Sequence, residues 1–405
     1  MQVLLSSIGT RGDVQPIVAL GLKLQALGHK ARLCVPPDFK DWVEAYGLEC
    51  VPIGQNLKQM TGGSVTGKPV LPSPEQLQQM ADMMVRGQFQ VIGEAARGCD
   101  LIVAATALQI ATRSIAEMQG IPYIFAAYAP AVLPSSKYPP PKTGGHHSHS
   151  LSEAENEQLW KDNEREFDKF AAVLNEERTK AGLDAVTNVQ RHMFTDRPWL
   201  AADPILAPAF PLTGMDVVQT GAWMLSDETP LPDELEKFLA SGEPPIYLGF
   251  GSMRAADQTG HVLIEATRSL GLRSILSQGW AGLTPNEAGD DVLSLPDVNH
   301  GALFPRVAAI VHHGGAGTIH AAARAGTPQV TIPHNYDQFY WAHRVQELGV
   351  GVSGPLRDDI NVENVAYALR EALQPNVKTR AQEVAGRIEP NGARLAAERL
   401  VSEFG

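Results

Sequence analysis

Cysteine is scarce in this sequence, and the few thiols present show no pattern. The 405 residues include three cysteines, Cys34, Cys50 and Cys99, with no C-x-x-C spacing between them. Three dispersed thiols are too few for a disulfide framework, and a reducing compartment is their simplest setting. We therefore predict a cytoplasmic protein.

Long apolar runs are also missing. No stretch reaches the length of a membrane-spanning helix, and the start, MQVLLSSIGT, lacks the charged region and long apolar core of a secretory signal. We therefore expect no stable insertion into a membrane.

The sequence has no excess of positive charge. Its 33 Lys and Arg residues are outnumbered by 45 Asp and Glu residues, which leaves a formal net charge of −12. This balance argues against general affinity for nucleic acid or for an anionic membrane surface. If such a chain binds phosphate, it must do so through local geometry, with turns, helix dipoles and a few polar side chains.

The length and the apolar pattern predict two α/β domains. Strand-like runs alternate with helical patterns in both halves, for example MQVLLSS and DLIVAAT early and PIYLGFGS and AAIVHHG late. Such alternation is typical of βαβ units with parallel sheets, and 405 residues accommodate two of them. The predicted parts are an N-terminal domain, a linker rich in proline and acidic residues, a C-terminal domain, and helices that could cross back to the first domain: residues 1–210, 211–234, 235–375 and 376–405.

Two stretches of the N-terminal half read as flexible connections, TGGSVTGKPVLPSP from Thr61 and PSSKYPPPKTGGHHSHS from Pro134. They are candidates for the walls or lids of a cleft. The HHSHS run at 146–150 has no second cluster at ligand spacing, so we interpret it as a solvated loop and predict no metal site.

The stretch AAIVHHGGAGTIHAAARAG, residues 308–326, places two histidines against a glycine-rich turn. Ile310 and Val311 predict a buried strand, and the alanine-rich segment from Thr318 to Arg324 predicts a helix that ends at Gly326. The first amides of a helix lack partners and face the positive end of its dipole, so an anion fits there. The alternative is a tight turn in which the glycines only supply positive φ.

A second strand-turn-helix, SSIGTRGDVQPIVALGLKLQALGH, lies at the N-terminus and places Asp13 at the entrance of a helix. Asp13 could cap the helix, since an aspartate there satisfies orphan amides. It could equally act as a general base, because loops at the carboxyl ends of parallel strands line the ligand crevice of α/β domains. The sequence leaves both roles open.

Four motifs in order make the chain resemble the inverting glycosyltransferases of the GT-B fold: GTRGDVQP near the start, GFGSM at 249–253, HHGGAGT at 312–318 and PHNYDQFYWAHRV at 333–345. The resemblance covers essentially the whole length. It is strongest to the bacterial enzymes that glycosylate antibiotics of the vancomycin class, while sterol glucosyltransferases share TRGDVQP and HHGGAGT. It implies two facing Rossmann-like domains with parallel sheets, an acceptor on the first and a nucleotide sugar on the second.

The resemblance also implies roles for individual residues. Asp13 takes the position of the catalytic base. Asp337 and Gln338 match an acid-amide pair that binds sugar hydroxyls; the alternative is a surface turn after Pro333. The residues expected at the donor diphosphate are Thr10, Arg11, Gly12, Ser252, His312, His313, Gly314, Gly315, Gly317 and Thr318.

Two features depart from the plant relatives. Plant enzymes have a histidine in the first loop, whereas no histidine lies between Met1 and Gly28, and a free aspartate with a pKa of roughly 3.9 is a weak base at neutral pH. Plant enzymes also stack the nucleobase on a tryptophan that is missing from PDVNHGALF here. Trp280 and Val298 are the candidates for that contact.

The resemblance implies a metal-independent hexosyltransferase without a cofactor. Its co-substrate would be a nucleotide sugar, most simply a deoxyaminosugar such as vancosamine on dTDP, and its acceptor a bulky hydrophobic or peptidic molecule such as a glycopeptide aglycone or its monoglycoside. Three other readings stay open: a sterol, polyketide or other lipid-like acceptor with a UDP- or dTDP-sugar, a sugar-nucleotide epimerase of similar fold, and a protein that kept the fold but lost turnover.

Overall fold

The computed structural model describes residues 1–58, 72–148, 150–210, 212, 214–253, 258–280 and 289–405. Part of the predicted flexible segment from Thr61, residues 61–71, therefore lies outside the described residues, as does His149 of the HHSHS run.

Two parallel sheets organise the described residues. The first has seven strands in the order β3-β2-β1-β4-β5-β6-β7, and the second has six in the order β10-β9-β8-β11-β12-β13. Every pair of neighbouring strands in them is parallel. The strands are β1 Gln2–Ser7, β2 Lys30–Val35, β3 Glu49–Pro52, β4 Leu101–Ala105, β5 Tyr123–Ala127, β6 Trp199–Leu200, β7 Val218–Gln219, β8 Ile246–Gly249, β9 Ser274–Ser277, β10 Val292–Leu295, β11 Ala309–His312, β12 Gln329–Thr331 and β13 Gly351–Ser353.

Helices connect the strands and cover both faces of the sheets. In the N-terminal half they are α1 Arg11–Ala26, α2 Lys40–Glu44, α3 Pro74–Ala95, α4 Thr112–Gln119, α5 Glu153–Glu166, α6 Ala171–Lys180 and α7 Val189–Phe194. In the C-terminal half they are α8 Asp233–Ala240, α9 Thr259–Arg268, α10 His300–Leu303, α11 Ala316–Ala325, α12 Gln338–Glu347, α13 Val362–Ala372, α14 Pro375–Ala385 and α15 Gly392–Phe404. Short 3-10 turns lie at Pro37–Phe39, Pro130–Val132, Asp168–Phe170, Phe304–Arg306 and Arg357–Asp359.

The strand sequences explain the sheets. β4, LIVAA, is buried at every position, and β1, QVLLSS, at all but the first. Such near-continuous apolar runs are typical of parallel strands that have helices on both faces. The predicted α/β class with two parallel sheets is therefore confirmed.

The first sheet extends into the predicted linker. β7 pairs with β6 and lies within residues 211–234, so the N-terminal sheet continues past residue 210. The last helix, α15, packs against α1 of the first sheet, and Ala396 and Leu400 are buried in the same core cluster as Leu20 and Leu24. The C-terminus thus lies on the N-terminal half of the molecule.

The segment 134–148 packs on the C-terminal half. The amide of Gly144 donates to Oδ1 of Asn335 at 2.9 Å, and the rings of His146 and Phe339 stack with centroids 4.8 Å apart. Tyr138 meets Tyr340 edge to face at 5.0 Å. His146 of the HHSHS run stays exposed while its ring stacks on Phe339, so the predicted solvated loop also lies against α12.

Within the described ranges, no helix combines the length and the apolar character needed to cross a membrane.

Candidate active site

The carboxyl ends of the two sheets present the predicted motifs to one cleft. β1 leads into α1 through the GTRGD loop, β11 into α11 through HHGGAG, and β12 into α12 through PHNYD. Connections at this edge of a parallel sheet form the ligand crevice of doubly wound folds. The geometry of each loop shows what its residues can do.

Asp13 caps the helix with one carboxylate oxygen. Its Oδ2 accepts from the amide of Thr10 at 2.6 Å and from Oγ1 of Thr10 at 3.1 Å. No described residue donates to Oδ1. A Cβ at Gly9 would overlap the carboxylate, so glycine is required at that position. Capping and proton transfer are compatible here, because they use different oxygens.

Two hydroxyl groups hold the backbone of Asp13. Ser7 Oγ donates to the Asp13 carbonyl oxygen at 2.9 Å. The hydroxyl of Tyr128 donates to the same oxygen at 3.0 Å. Tyr128 directly follows β5 and belongs to none of the four motifs. The sequence does indicate a site position for Tyr128. It comes just after a predicted strand, and residues at that end of a parallel strand line the ligand crevice.

Burial raises the pKa of Asp13 from 3.8 to about 6, against the lowering effect of the hydrogen bonds from Thr10. The value of a free aspartate therefore does not describe this carboxylate. A base with a pKa of about 6 is ionised at neutral pH and accepts a proton more readily than a free aspartate does.

The HHGGAGT turn forms an open helix N-terminus. α11 begins at Ala316, two residues before the predicted start, with Gly315 as its N-cap and without a capping side chain. Gly314 has φ of +88°, and a Cβ there would lie 3.1 Å from the carbonyl oxygen of Gln338. The amides of Gly317 and Thr318 belong to the first helical turn, which lacks intrahelical acceptors. This end of α11 suits an anion.

His312 does not face the cleft. Its side chain is fully buried, Nε2 lies 3.0 Å from Oε1 of Gln329, and Nδ1 accepts from the amide of Gly314 at 3.1 Å. Burial lowers its pKa to about 4, so the ring is neutral with its proton on Nε2. Both ring nitrogens are used within the protein. The geometry therefore opposes the expected phosphate contact of His312, whose role is to hold the turn at Gly314.

His313 is the imidazole at the mouth of the turn. It is partly exposed, a Cβ on Gly315 would overlap its Nε2, and a Cβ on Gly251 would lie 3.4 Å from its Cε1. Its Nδ1 is buried and has no partner among the described residues. Burial lowers its pKa to about 3, with smaller effects from His312 and His334. His313 thus offers a neutral hydrogen-bonding group, not a charge.

Ser252 and Arg11 meet different surroundings. Ser252 is partly exposed and follows Gly251, which lies beside His313 and has φ of +56°, so Ser252 stands close to the turn before α11. Arg11 instead pairs with Asp297 of the second half at 3.3 Å, and its guanidinium lies 5.1 Å from the ring centroid of Trp42. The charge of Arg11 is already engaged between the two halves.

Asp337 lies at the N-cap of α12. Its Oδ2 accepts from Nε1 of Trp341 at 3.1 Å. Burial raises its pKa to about 6; the Trp341 bond lowers it, and the negative charge of Asp13 raises it further. Asp337 and Asp13, from opposite halves, are therefore close enough to interact electrostatically.

Gln338 is tied to its own loop. Its Oε1 accepts from the amides of His334 and Asn335 at 2.8 and 3.0 Å, and its side chain is buried. The carbonyl oxygen of the Gln338 side chain thus holds the PHNYD turn. The Nε2 group of Gln338 donates no hydrogen bond to the described residues.

The two nucleobase candidates differ. Trp280 stacks on Phe39 of the first half, with centroids 6.0 Å apart and an angle of 18° between the planes, and Nζ of Lys58 lies 5.4 Å from its ring. The structure therefore gives the indole a packing role between the halves. Val298 is partly buried at the edge of the C-terminal core, next to the N-cap Asn299 of α10.

No cluster of three or more His, Cys, Asp or Glu side chains suited to a metal ion occurs in the described part of the chain.

Two family models and several curated proteins match this chain. Residues 3–135 match the glycosyltransferase family 28 N-terminal domain, and residues 284–393 match the erythromycin biosynthesis protein CIII-like C-terminal domain. The vancomycin aglycone glucosyltransferase of Amycolatopsis orientalis is 42% identical over 99% of this chain and 97% of its own. The dTDP-epi-vancosaminyltransferase of the same organism is 38% identical over 95% and 93%.

A solved structure supports the fold. The glycosyltransferase VinC in complex with dTDP superposes with a TM-score of 0.70 at 21% identity, over 99% of both chains.

Proposed function

This chain belongs to the GT-B glycosyltransferases that include the vancomycin aglycone glucosyltransferase, and on that premise we propose that it glycosylates a glycopeptide aglycone or its monoglycoside. The proposed donor is a dTDP-linked sugar, most simply a deoxyaminosugar, because the name of the 38% identical relative specifies a dTDP-linked epi-vancosamine donor. The proposed stereochemical course is inversion.

One observation carries the proposal: the carboxylate of Asp13, from the first half, faces the same cleft as Asp337 and the open N-terminus of α11, from the second. The negative charge of Asp13 raises the pKa of Asp337. The turn before α11 packs on the start of α12, where Asp337 lies. A base, a sugar-binding carboxylate and an anion site thus occupy one cleft. This is the set of groups that a direct displacement at an anomeric carbon needs.

The proposed reaction is a single displacement. The acceptor hydroxyl gives its proton to Oδ1 of Asp13 while its oxygen bonds to the anomeric carbon. The bond from that carbon to the phosphate oxygen breaks, and the diphosphate keeps the electron pair. Amides at the start of α11, with His313 and Ser252, stabilise the developing negative charge. Because these donors stabilise the departing charge, we propose that the step proceeds without a metal ion.

Sugar recognition is assigned to the start of α12. Asp337 would accept from sugar hydroxyls through the oxygen that Trp341 does not occupy, and Gln338 would donate from Nε2. Trp280 and Val298 stay the candidates at the nucleobase. The free, buried thiols Cys34, Cys50 and Cys99 agree with the proposed cytoplasmic location.

A transfer assay read by mass spectrometry tests the proposal. dTDP- and UDP-sugars are crossed with a vancomycin-type aglycone, its monoglucosylated form and a sterol, with and without EDTA. We expect a mass gain on a peptide acceptor with a dTDP-sugar, unaffected by EDTA, and an inverted anomeric configuration by NMR. A gain only on the sterol would contradict the acceptor class, and donor turnover without an acceptor product would indicate an epimerase or a hydrolase.

A further inference from the structure

Tyr336 adopts a backbone conformation that a bulky side chain rarely adopts. Its φ is +56°, in the left-handed region, where only Thr106 and Thr195 join it among the described non-glycine residues. Glycine would make the same turn without the steric cost. Strained residues of this kind cluster at functional sites, so the tyrosine calls for an explanation in terms of its side chain.

The surrounding loop holds Tyr336 in this conformation. The amides of His334 and Asn335, just before it, both donate to Oε1 of Gln338. The side chain of Asn335 is bonded in turn to Gly144 of the other half. Tyr336 is thus held on both sides. The hydrogen bond between Gly144 and Asn335 fixes the residue before it, and the N-cap of α12 follows it.

The hydroxyl of Tyr336 is available to a ligand. The side chain is partly buried, and among the described residues its hydroxyl has no hydrogen-bond partner. Burial raises the pKa of Tyr336, and the negative charges of Asp337 and then Asp13 raise it further. The phenol therefore lies near both carboxylates and stays protonated, able to donate one hydrogen bond and accept another.

We propose that the hydroxyl of Tyr336 contacts a polar substituent on the ring of the transferred sugar and contributes to the choice of donor. This inference rests on the proposed function and adds a third group beside Asp337 and Gln338. The sugar is favoured over the acceptor because Tyr336 belongs to the loop of the C-terminal half that carries Asp337. A hexose presents hydroxyl or amino groups around its ring, which a group that both donates and accepts can bind.

The test pairs a side-chain change with changes in the donor. Transfer by the wild type and by Tyr336→Phe is measured with the dTDP-sugar that the wild type transfers fastest and with analogues of it that each lack one hydroxyl or amino group, using an acceptor that the wild type glycosylates. Removal of the contacted hydroxyl should lower kcat/KM about 3- to 10-fold in the wild type and leave it nearly unchanged in Tyr336→Phe. The other analogues should lower kcat/KM by the same factor in both proteins.

Two further variants separate contact from folding. Tyr336→Gly relieves the strain but removes a partly buried ring, so its melting temperature should fall while donor discrimination is lost, whereas Tyr336→Phe keeps the ring and should melt as the wild type does. Tyr367→Phe, on an exposed tyrosine of α13, is the matched control and should behave as the wild type.

The outcomes are distinguishable. Equal penalties for every analogue in the wild type and Tyr336→Phe would overturn the inference, as would an effect confined to the acceptor KM. Absence of any product from the wild type would instead overturn the proposed function.

Discussion

The amide of Thr10 donates to Oδ2 of Asp13 at 2.6 Å, so the carboxylate proposed as the base also caps α1. The cap fixes one oxygen, and the hydroxyls of Ser7 and Tyr128 fix the backbone behind it. Burial then raises the pKa of the group to about 6. Position and basicity of the candidate base therefore come from the same local arrangement.

Asp13→Asn should lower kcat by about 10²- to 10⁴-fold, because a positioned base contributes on that scale. The amide oxygen of asparagine can still accept from Thr10, so the helix cap and donor binding should persist. Single-turnover transfer and calorimetric titration with dTDP measure the two effects. Transfer at near the wild-type rate would refute the assignment of Asp13 as the base.

The activity should depend on pH through Asp13. Its pKa of about 6 requires kcat/KM to fall about tenfold per pH unit below that value and to level off above it. The pKa of Asp337 is also raised to about 6, so Asp337→Asn is the necessary comparison. If Asp13 is the base, the acid limb remains in Asp337→Asn and is lost when Asp13→Asn is added to that variant.

The same shift predicts that Asp13 destabilises the folded protein at neutral pH. The pKa of the folded state, about 6, lies above the unfolded value of 3.8, so the folded state binds more protons between these values. The stability linked to Asp13 is therefore fully present below 3.8 and is lost as the pH rises through 6. Asp13→Asn should raise the melting temperature by roughly 2–4 °C at pH 7.5 and by much less at pH 4. A lower melting temperature at pH 7.5 would show that capping outweighs burial.

The two adjacent histidines should respond differently to alanine. His313→Ala should weaken dTDP binding about tenfold or more with little loss of stability, since it removes a hydrogen bond to a charged ligand. His312→Ala should lower the free energy of unfolding by about 2–4 kcal/mol, because it leaves Gln329 and the Gly314 amide without partners in a buried site. Titration calorimetry and thermal melts report both quantities. The reverse pattern would restore His312 as the phosphate ligand.

The sequence by itself determined the fold class and the strand-to-helix turns at which the motifs lie. Apolar runs such as DLIVAAT are local signals, because a parallel strand buried on both faces must be apolar along its length. The glycines of HHGGAG marked a strand-to-helix turn for the same local reason. Short strands with weak patterns, such as β6 and β7, were not predicted, since their burial depends on the neighbouring strand.

Tertiary structure decided what each polar side chain does. The adjacent residues His312 and His313 look alike in sequence. His312 is hydrogen-bonded to Gln329 of the neighbouring strand, whereas the imidazole of His313 lies at the cleft with Nδ1 unpaired among the described residues. Arg11 forms an ion pair with Asp297, which lies 286 positions away in the sequence. The basicity of Asp13 likewise depends on the packing around it. Hydrogen-bond partners and burial arise from residues distant in the chain, and only the folded arrangement specifies them.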